Sequence, residues 1–198
     1  MIIKEKSIKS HKELQRVLRY IFCKDGVGSF TFRRFINGDR EFQRLLERAS
    51  DDVEAHSVIM SQRLANMHDQ FVANDRERLL KRKEGTKYFH CVLSFHKEDK
   101  LSEAQLQKVA GAYAKERFPK SIVVATSHTD TEHLHLHLVG SNVEYGLGTT
   151  SRLAKMEFQQ IKLRMEKWQD RELRLVFSHV DHEKKSPRFP RMPNTKST

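Results

Sequence analysis

Cysteine is nearly missing from this 198-residue chain. The two that occur, Cys23 and Cys91, each lie in an apolar stretch without the CxxC spacing of a zinc or redox site. They read as small core residues of a protein kept in a reducing compartment, and a disulfide-stapled secreted scaffold is excluded. No apolar run is long enough to cross a bilayer, and the opening Met1-Ile2-Ile3-Lys4-Glu5-Lys6 lacks the apolar core of a signal peptide. A cytoplasmic protein without a membrane span is expected. Proline (4) and glycine (8) are scarce as well, and neither occurs between residues 40 and 83. That stretch should form long helical segments, interrupted at the polar Ala49-Ser50-Asp51-Asp52.

Negative charge is the remaining shortage. Against 37 Lys and Arg stand 26 Asp and Glu, a net charge of +11. Such a field captures polyanions, which makes nucleic acid the leading partner. A hydrophobic content of 37% over this length supports one domain, expected over 1–178. Residues 179–198, rich in His, Lys, Arg and Pro, have almost nothing to bury and read as a disordered basic tail or a linker.

Along the chain, Ser10 to Glu13 has the form of a capping box, and Leu14, Val17, Leu18, Ile21 and Phe22 follow at helical spacing up to Asp25-Gly26. Strands are expected at Ser29 to Ile36, Tyr88 to His96, Ser121 to Thr126 and about His133 to Val143. Further helices should run from Ser102 to Phe118-Pro119 and from about Leu153 to Arg171. The elements mix without a βαβ repeat, and the last two strands are joined by too short a turn for a parallel crossover. The fold class is therefore α+β, a largely antiparallel central sheet flanked by helices.

Chemistry concentrates in Ser127-His128-Thr129-Asp130-Thr131-Glu132-His133-Leu134-His135-Leu136-His137-Leu138. On a strand, His133, His135 and His137 share one face while the leucines enter the core from the other. With His128 from the preceding strand end, three of these four imidazoles can share a divalent cation, leaving positions open for substrate. Asp130 or Glu132 can accept the second N–H of a ligating imidazole and fix its tautomer. Spacing alone leaves open which three of the four bind.

These residues resemble the metal motif of the relaxases of mobilisable plasmids and integrative elements, members of the His-hydrophobic-His endonuclease superfamily. The matching positions are His128, Asp130-Thr131 and His135-Leu136-His137. Ser10, Lys12, Leu14, Val17, Leu18 and Tyr20-Ile21 are similar to the family's tyrosine-bearing motif, and Val92-Leu93-Ser94-Phe95 to its middle motif. The likeness extends over roughly residues 1–170. It implies the relaxase-type fold, His128, His135 and His137 as metal ligands, and Tyr20 as nucleophile, with Tyr145 held in reserve. His133, Asp130 and Asn142 are implied as accessory residues; Asn142 stands one position from where the family carries an Asn. Ser94 is implied to contact DNA or order the site.

The reaction so implied is site- and strand-specific nicking at a transfer origin, leaving a 5′-phosphotyrosyl adduct and a free 3′-hydroxyl for conjugative mobilisation. The substrate would be single-stranded or extruded DNA, held by basic residues such as Arg33, Arg34, Lys81, Arg82 and Lys155. Phosphate chemistry favours Mg²⁺ or Mn²⁺, although imidazoles bind Ni²⁺, Co²⁺ or Zn²⁺ more tightly. Accessory DNA-binding mobilisation proteins and a coupling protein would be partners. Rival readings are a replication initiator of the same superfamily, a three-His phosphodiesterase without a covalent intermediate, and a DNA-binding module with a structural metal.

Overall fold

The computed structural model describes residues 1–23, 27–81, 84–129 and 132–178. The expected tail at 179–198 lies outside the described residues. The Ser10 hydroxyl accepts the Glu13 N–H at 3.1 Å and opens α1 (His11–Cys23), preceded by β1 (Ile2–Ile8). After β2 (Val27–Arg34), the Gly- and Pro-free stretch divides where the polar residues predicted it. There α2 (Asp39–Arg48) ends, and Asp52 caps α3 (Val53–Arg76) by accepting the Ala55 N–H at 2.9 Å. Next come β3 (Tyr88–Ser94), α4 (Glu103–Arg117) with a Ser102/Gln105 capping box, β4 (Ser121–His128), β5 (His135–Glu144) and α5 (Lys155–Glu172).

The strands form one sheet in the order β1-β3-β5-β4-β2, and every neighbouring pair is antiparallel. The α+β class is as expected. Alternation along the strands feeds two cores. On one face Cys91, Leu93, Val123, Ala125, Leu136 and Leu138 pack with Leu106, Val109 and Tyr113 of α4 and Ile161 and Met165 of α5. On the other, Tyr88, Ile122, Val124 and Val139 pack with Leu14, Leu18 and Ile21 of α1 and Met67 and Phe71 of α3. Each fully buried aliphatic side chain contributes about 1.5–3 kcal/mol. Gly140 is required by a close approach: a Cβ there would meet the Phe118 ring at 2.6 Å.

Two features differ from expectation. β1 went unpredicted because its middle, Lys4-Glu5-Lys6, is charged; it lies at a sheet edge, where such residues are tolerated and discourage further pairing. Cys91 is buried as expected, whereas Cys23 ends α1 on its exposed side; helical periodicity put Ile21 and Phe22 inward instead.

Polar groups tie the helices to the sheet. Asp39 at the start of α2 accepts from Arg63 Nε at 2.7 Å and Arg33 Nη1 at 3.0 Å. Asp75, near the end of α3 and only 4% exposed in its side chain, holds Lys87 Nζ, Arg78 Nη2 at 2.7 Å and His11 Nε2 at 3.3 Å. Burial works to raise its carboxyl pKa, but the hydrogen bonds from Lys87, Arg78 and His11 outweigh it and hold the carboxyl below its ordinary range. A depressed acid stabilises the fold above its unfolded pKa, and that stability drains as pH falls toward the lower folded value. Asp75→Asn should therefore lower the unfolding free energy at neutral pH by about 2–3 kcal/mol. The gap from wild type should narrow below about pH 4, as urea titrations at neutral and acid pH would record.

Candidate active site

Register assembles the histidines. His128 of β4 lies opposite His135 of β5, which lies opposite Ser94 of β3. In the next row but one, His137 is flanked by Thr126 and Val92, and beyond it His90 faces Val139. Directly paired residues share a face, so His90, Ser94, His128, His135 and His137 all stand on the α1/α3 side. Leu136 and Leu138 are fully buried on the other side, as the alternation predicted. Ring centres are 4.4 Å apart for His128 and His137, 5.2 Å for His90 and His137, and 6.2 Å for His135 and His137.

Three imidazoles are each fixed through one nitrogen. His128 Nε2 donates to the Ile21 carbonyl at 2.8 Å; a carbonyl only accepts, so this nitrogen carries the proton and Nδ1 keeps its lone pair. His135 Nδ1 shares a hydrogen bond with Ser94 Oγ at 2.8 Å, and His137 Nδ1 shares one with His90 Nε2 at 2.9 Å. His90 is held neutral, its pKa pushed down to about 4 first by burial and then by the positive charge of Lys6. A neutral His90 can accept the Nδ1–H of His137, directing the opposite nitrogen of that ring elsewhere.

His128 is fully buried, and its Nδ1 has no hydrogen-bond partner. A buried acceptor left so is costly unless a water or an ion meets it. Two imidazoles on one cation, about 2.1 Å from each nitrogen, set their ring centres roughly 5 Å apart, comparable with the spacings here. Among the described residues no three such side chains are already set about one coordinating point. His128, His135 and His137 are of the donor type that a divalent metal takes and stand close together, but their described positions do not form a group poised to hold one.

Of the four tyrosines, Tyr20 of α1 stands at the cluster, its ring centre 5.5 Å from His128, 5.6 Å from His137 and 6.4 Å from His90. It is 43% exposed, open to a substrate. Tyr88 and Tyr113 are buried. Tyr145, the reserve candidate, follows β5 at the opposite end of the sheet, eight residues from His137 and on the order of 25 Å away.

Other expected site residues scatter. His133 precedes β5, bonded through Nδ1 to the Phe95 carbonyl at 3.1 Å and with its ring near His96. Asn142 sits an odd number of residues from His137 and so on the opposite face, donating to the Thr86 carbonyl at 2.9 Å. Arg33 is engaged by Asp39 and Gln43, and Arg34 Nη1 by the carbonyls of Ala114, Phe118 and Pro119. Lys81 is exposed. Lys155 begins α5 and lines a cleft of about 630 Å³ with Asn142 and Arg117, away from the histidines. Asp130 and Arg82 lie outside the described residues. Two residues escaped the sequence reading: His90, which passed for part of a buried strand, and Lys6, opposite His90 on β1. A histidine two residues from the conspicuous Val92-Leu93-Ser94 pattern was the available signal.

The family model described as "Relaxase: MobA/VirD2-like, nuclease domain" matches residues 43–173, about two thirds of the chain. The chain belongs to this family. The relaxase domain is accordingly a nuclease domain acting on DNA in mobilisation. The match takes in β3, β4 and β5 with their histidines, while α1 and Tyr20 precede it. No curated protein matches the chain significantly. Among the described residues, no helix of this relaxase domain is long and apolar enough to cross a membrane.

The His90 contact makes a prediction. His90→Leu removes the partner of His137 Nδ1 and should lower DNA cleavage by about tenfold or more, while His90→Gln, which offers an amide oxygen, should recover much of it. Single-turnover nicking of a labelled strand compares the two.

Proposed function

We propose that this relaxase domain nicks one DNA strand by transesterification, with Tyr20 as nucleophile and His128, His135 and His137 as the residues that would hold a divalent metal. The observation that carries the reading is the Tyr20 ring within 5.5 and 5.6 Å of His128 and His137. A tyrosine that only filled the core would be buried, as Tyr88 and Tyr113 are.

Tyr20 Oη forms a bond to the scissile phosphorus as the bond from phosphorus to the 3′ oxygen breaks. The phenol loses its proton and the leaving oxygen gains one, giving a 5′-phosphotyrosyl adduct and a 3′-hydroxyl. One phosphodiester replaces another, so the step reverses readily and the strand can be rejoined after transfer. A divalent ion bound at the imidazoles would supply Lewis-acid stabilisation of the charge gathering on the phosphate oxygens. Mg²⁺ or Mn²⁺ suits that chemistry, and the imidazole set would also take Ni²⁺, Co²⁺ or Zn²⁺.

The chain's own residues position and orient. The Ile21 carbonyl holds the His128 tautomer, and Ser94 and His90 hold the other two rings. Ser94 so acts on His135. Lys6 supplies exposed positive charge beside His90, where the DNA backbone would pass. The guanidinium groups of Arg33 and Arg34 are taken up within the fold, and neither enters this proposal.

The experiment is denaturing electrophoresis of a labelled single-stranded oligonucleotide carrying a transfer origin, incubated with protein and Mn²⁺. A label shifted by the mass of the protein is expected. Tyr20→Phe should abolish that species, by at least about 10³-fold in rate, and His135→Ala should cost about 10² or more. An adduct formed at the wild-type rate by Tyr20→Phe would sink this assignment.

A further inference from the structure

At the sheet end remote from the histidines, two aromatic rings lie stacked in the open. The centres of Phe35 and Tyr145 are 5.0 Å apart and their planes 7° from parallel, while the two residues are 43% and 46% exposed. Neither is placed there by slack chain. Phe35 has φ +55°, a left-handed conformation that a bulky aromatic residue adopts only when its surroundings impose it. The imposition is visible on both sides. Arg34 Nη1 is clamped by the carbonyls of Ala114, Phe118 and Pro119. Asn37 donates its N–H to Gln70 Oε1 at 2.8 Å, and its carbonyl accepts from Asn66 and Gln70 at 2.9 Å. Tyr145 is anchored through its N–H to the Lys120 carbonyl at 2.7 Å and is followed by the left-handed Gly146.

Strained backbone and half-exposed aromatic surface both work against stability, and a fold keeps such features where they serve a ligand. We propose that the Phe35–Tyr145 stack is a platform for unpaired bases of single-stranded DNA passing away from the nick. The inference rests on the DNA reading above. Bases present flat π faces that continue an aromatic stack whatever their identity, and the exposed Lys120 beside Tyr145 offers charge to the backbone. The net charge of +11 favours the same occupant. The platform lies on the order of 25 Å from the histidines, about seven stacked nucleotides. It would hold flanking sequence, not the scissile phosphate.

The test measures, by fluorescence anisotropy, binding of a labelled oligothymidylate of about 20 nucleotides and of a blunt duplex. Phe35→Gly and Tyr145→Ala should each weaken single-strand binding about five- to hundredfold and leave duplex binding unchanged. Tyr145→Trp should restore affinity. Since glycine relieves the positive φ, Phe35→Gly should melt at or above the wild-type temperature. Unchanged single-strand affinity in both variants overturns the platform while the nuclease reading stands. So does a shift in oligomeric state by light scattering without loss of DNA binding, which would make the stack a protein contact. Melting temperature falling together with affinity in both variants, unrescued by Trp, would make it merely structural. If the wild type binds neither DNA, the DNA reading itself fails.

Discussion

One hydrogen bond joins the two halves of the proposed chemistry: His128 Nε2 to the carbonyl of Ile21. A helix leaves its last carbonyls without intrahelical partners, and Ile21 belongs to the final turn of α1, one residue beyond Tyr20. The imidazole satisfies that orphan acceptor, is thereby locked in one tautomer, and draws the tyrosine's turn onto the end of β4. The bond cannot move without moving both the would-be nucleophile and a would-be ligand. Because the ring is buried, no water competes for the contact, and its geometry is stiffer than a surface bond would be.

That contact depends on α1 lying flat on the sheet, and two constraints keep it there. Leu14, Leu18 and Ile21 are buried against Val124, Val139 and the α3 residues Met67 and Phe71. At the opposite end of α1, His11 reaches the Asp75 carboxylate that also holds Lys87 and Arg78. The charge cluster thus ties α1, α3 and the approach to β3 at one end, while His128 ties α1 to β4 at the other. A helix pinned at both ends transmits little rotational play to Tyr20, and reacting groups gain from such positioning more than from any single contact.

The histidine strand could be read from sequence because strand alternation is local: His135, Leu136, His137 and Leu138 sort themselves onto two faces without knowledge of any other segment. The same holds for the break at Ala49 to Asp52, where Asp52 carries its own capping signal. His90 could not be found this way. Its role follows from the register that sets Val92 opposite His137 and brings His90 within reach of that ring, a pairing across dozens of intervening residues. Arg33 and Arg34 misled for the related reason that a charge in sequence carries no mark of its partner; Asp39 and the carbonyls at the end of α4 were already waiting for them. β1 was obscured because edge strands use charge where central strands use apolar residues. Resemblance, not periodicity, singled out Tyr20, which by spacing alone was as much a core aromatic as a nucleophile.

The sheet ends up chemically polarised along its strands, and the polarity follows from where its loops can be polar. Toward the β4–β5 connection the α1/α3 face carries His128, His135 and His137; toward the other end the same strands carry Ile122, Val124 and Val139 packed under α1 and α3. His128 and His137 are buried and His135 is half-buried, so the row stands at the edge of the helix cover, where a buried nitrogen is costly without a partner. The last turn of α1 is that boundary. Tyr20 sits on it with one side against the histidines and the rest open to solvent, the placement a nucleophile needs when its target is a polymer too large to enter a closed pocket.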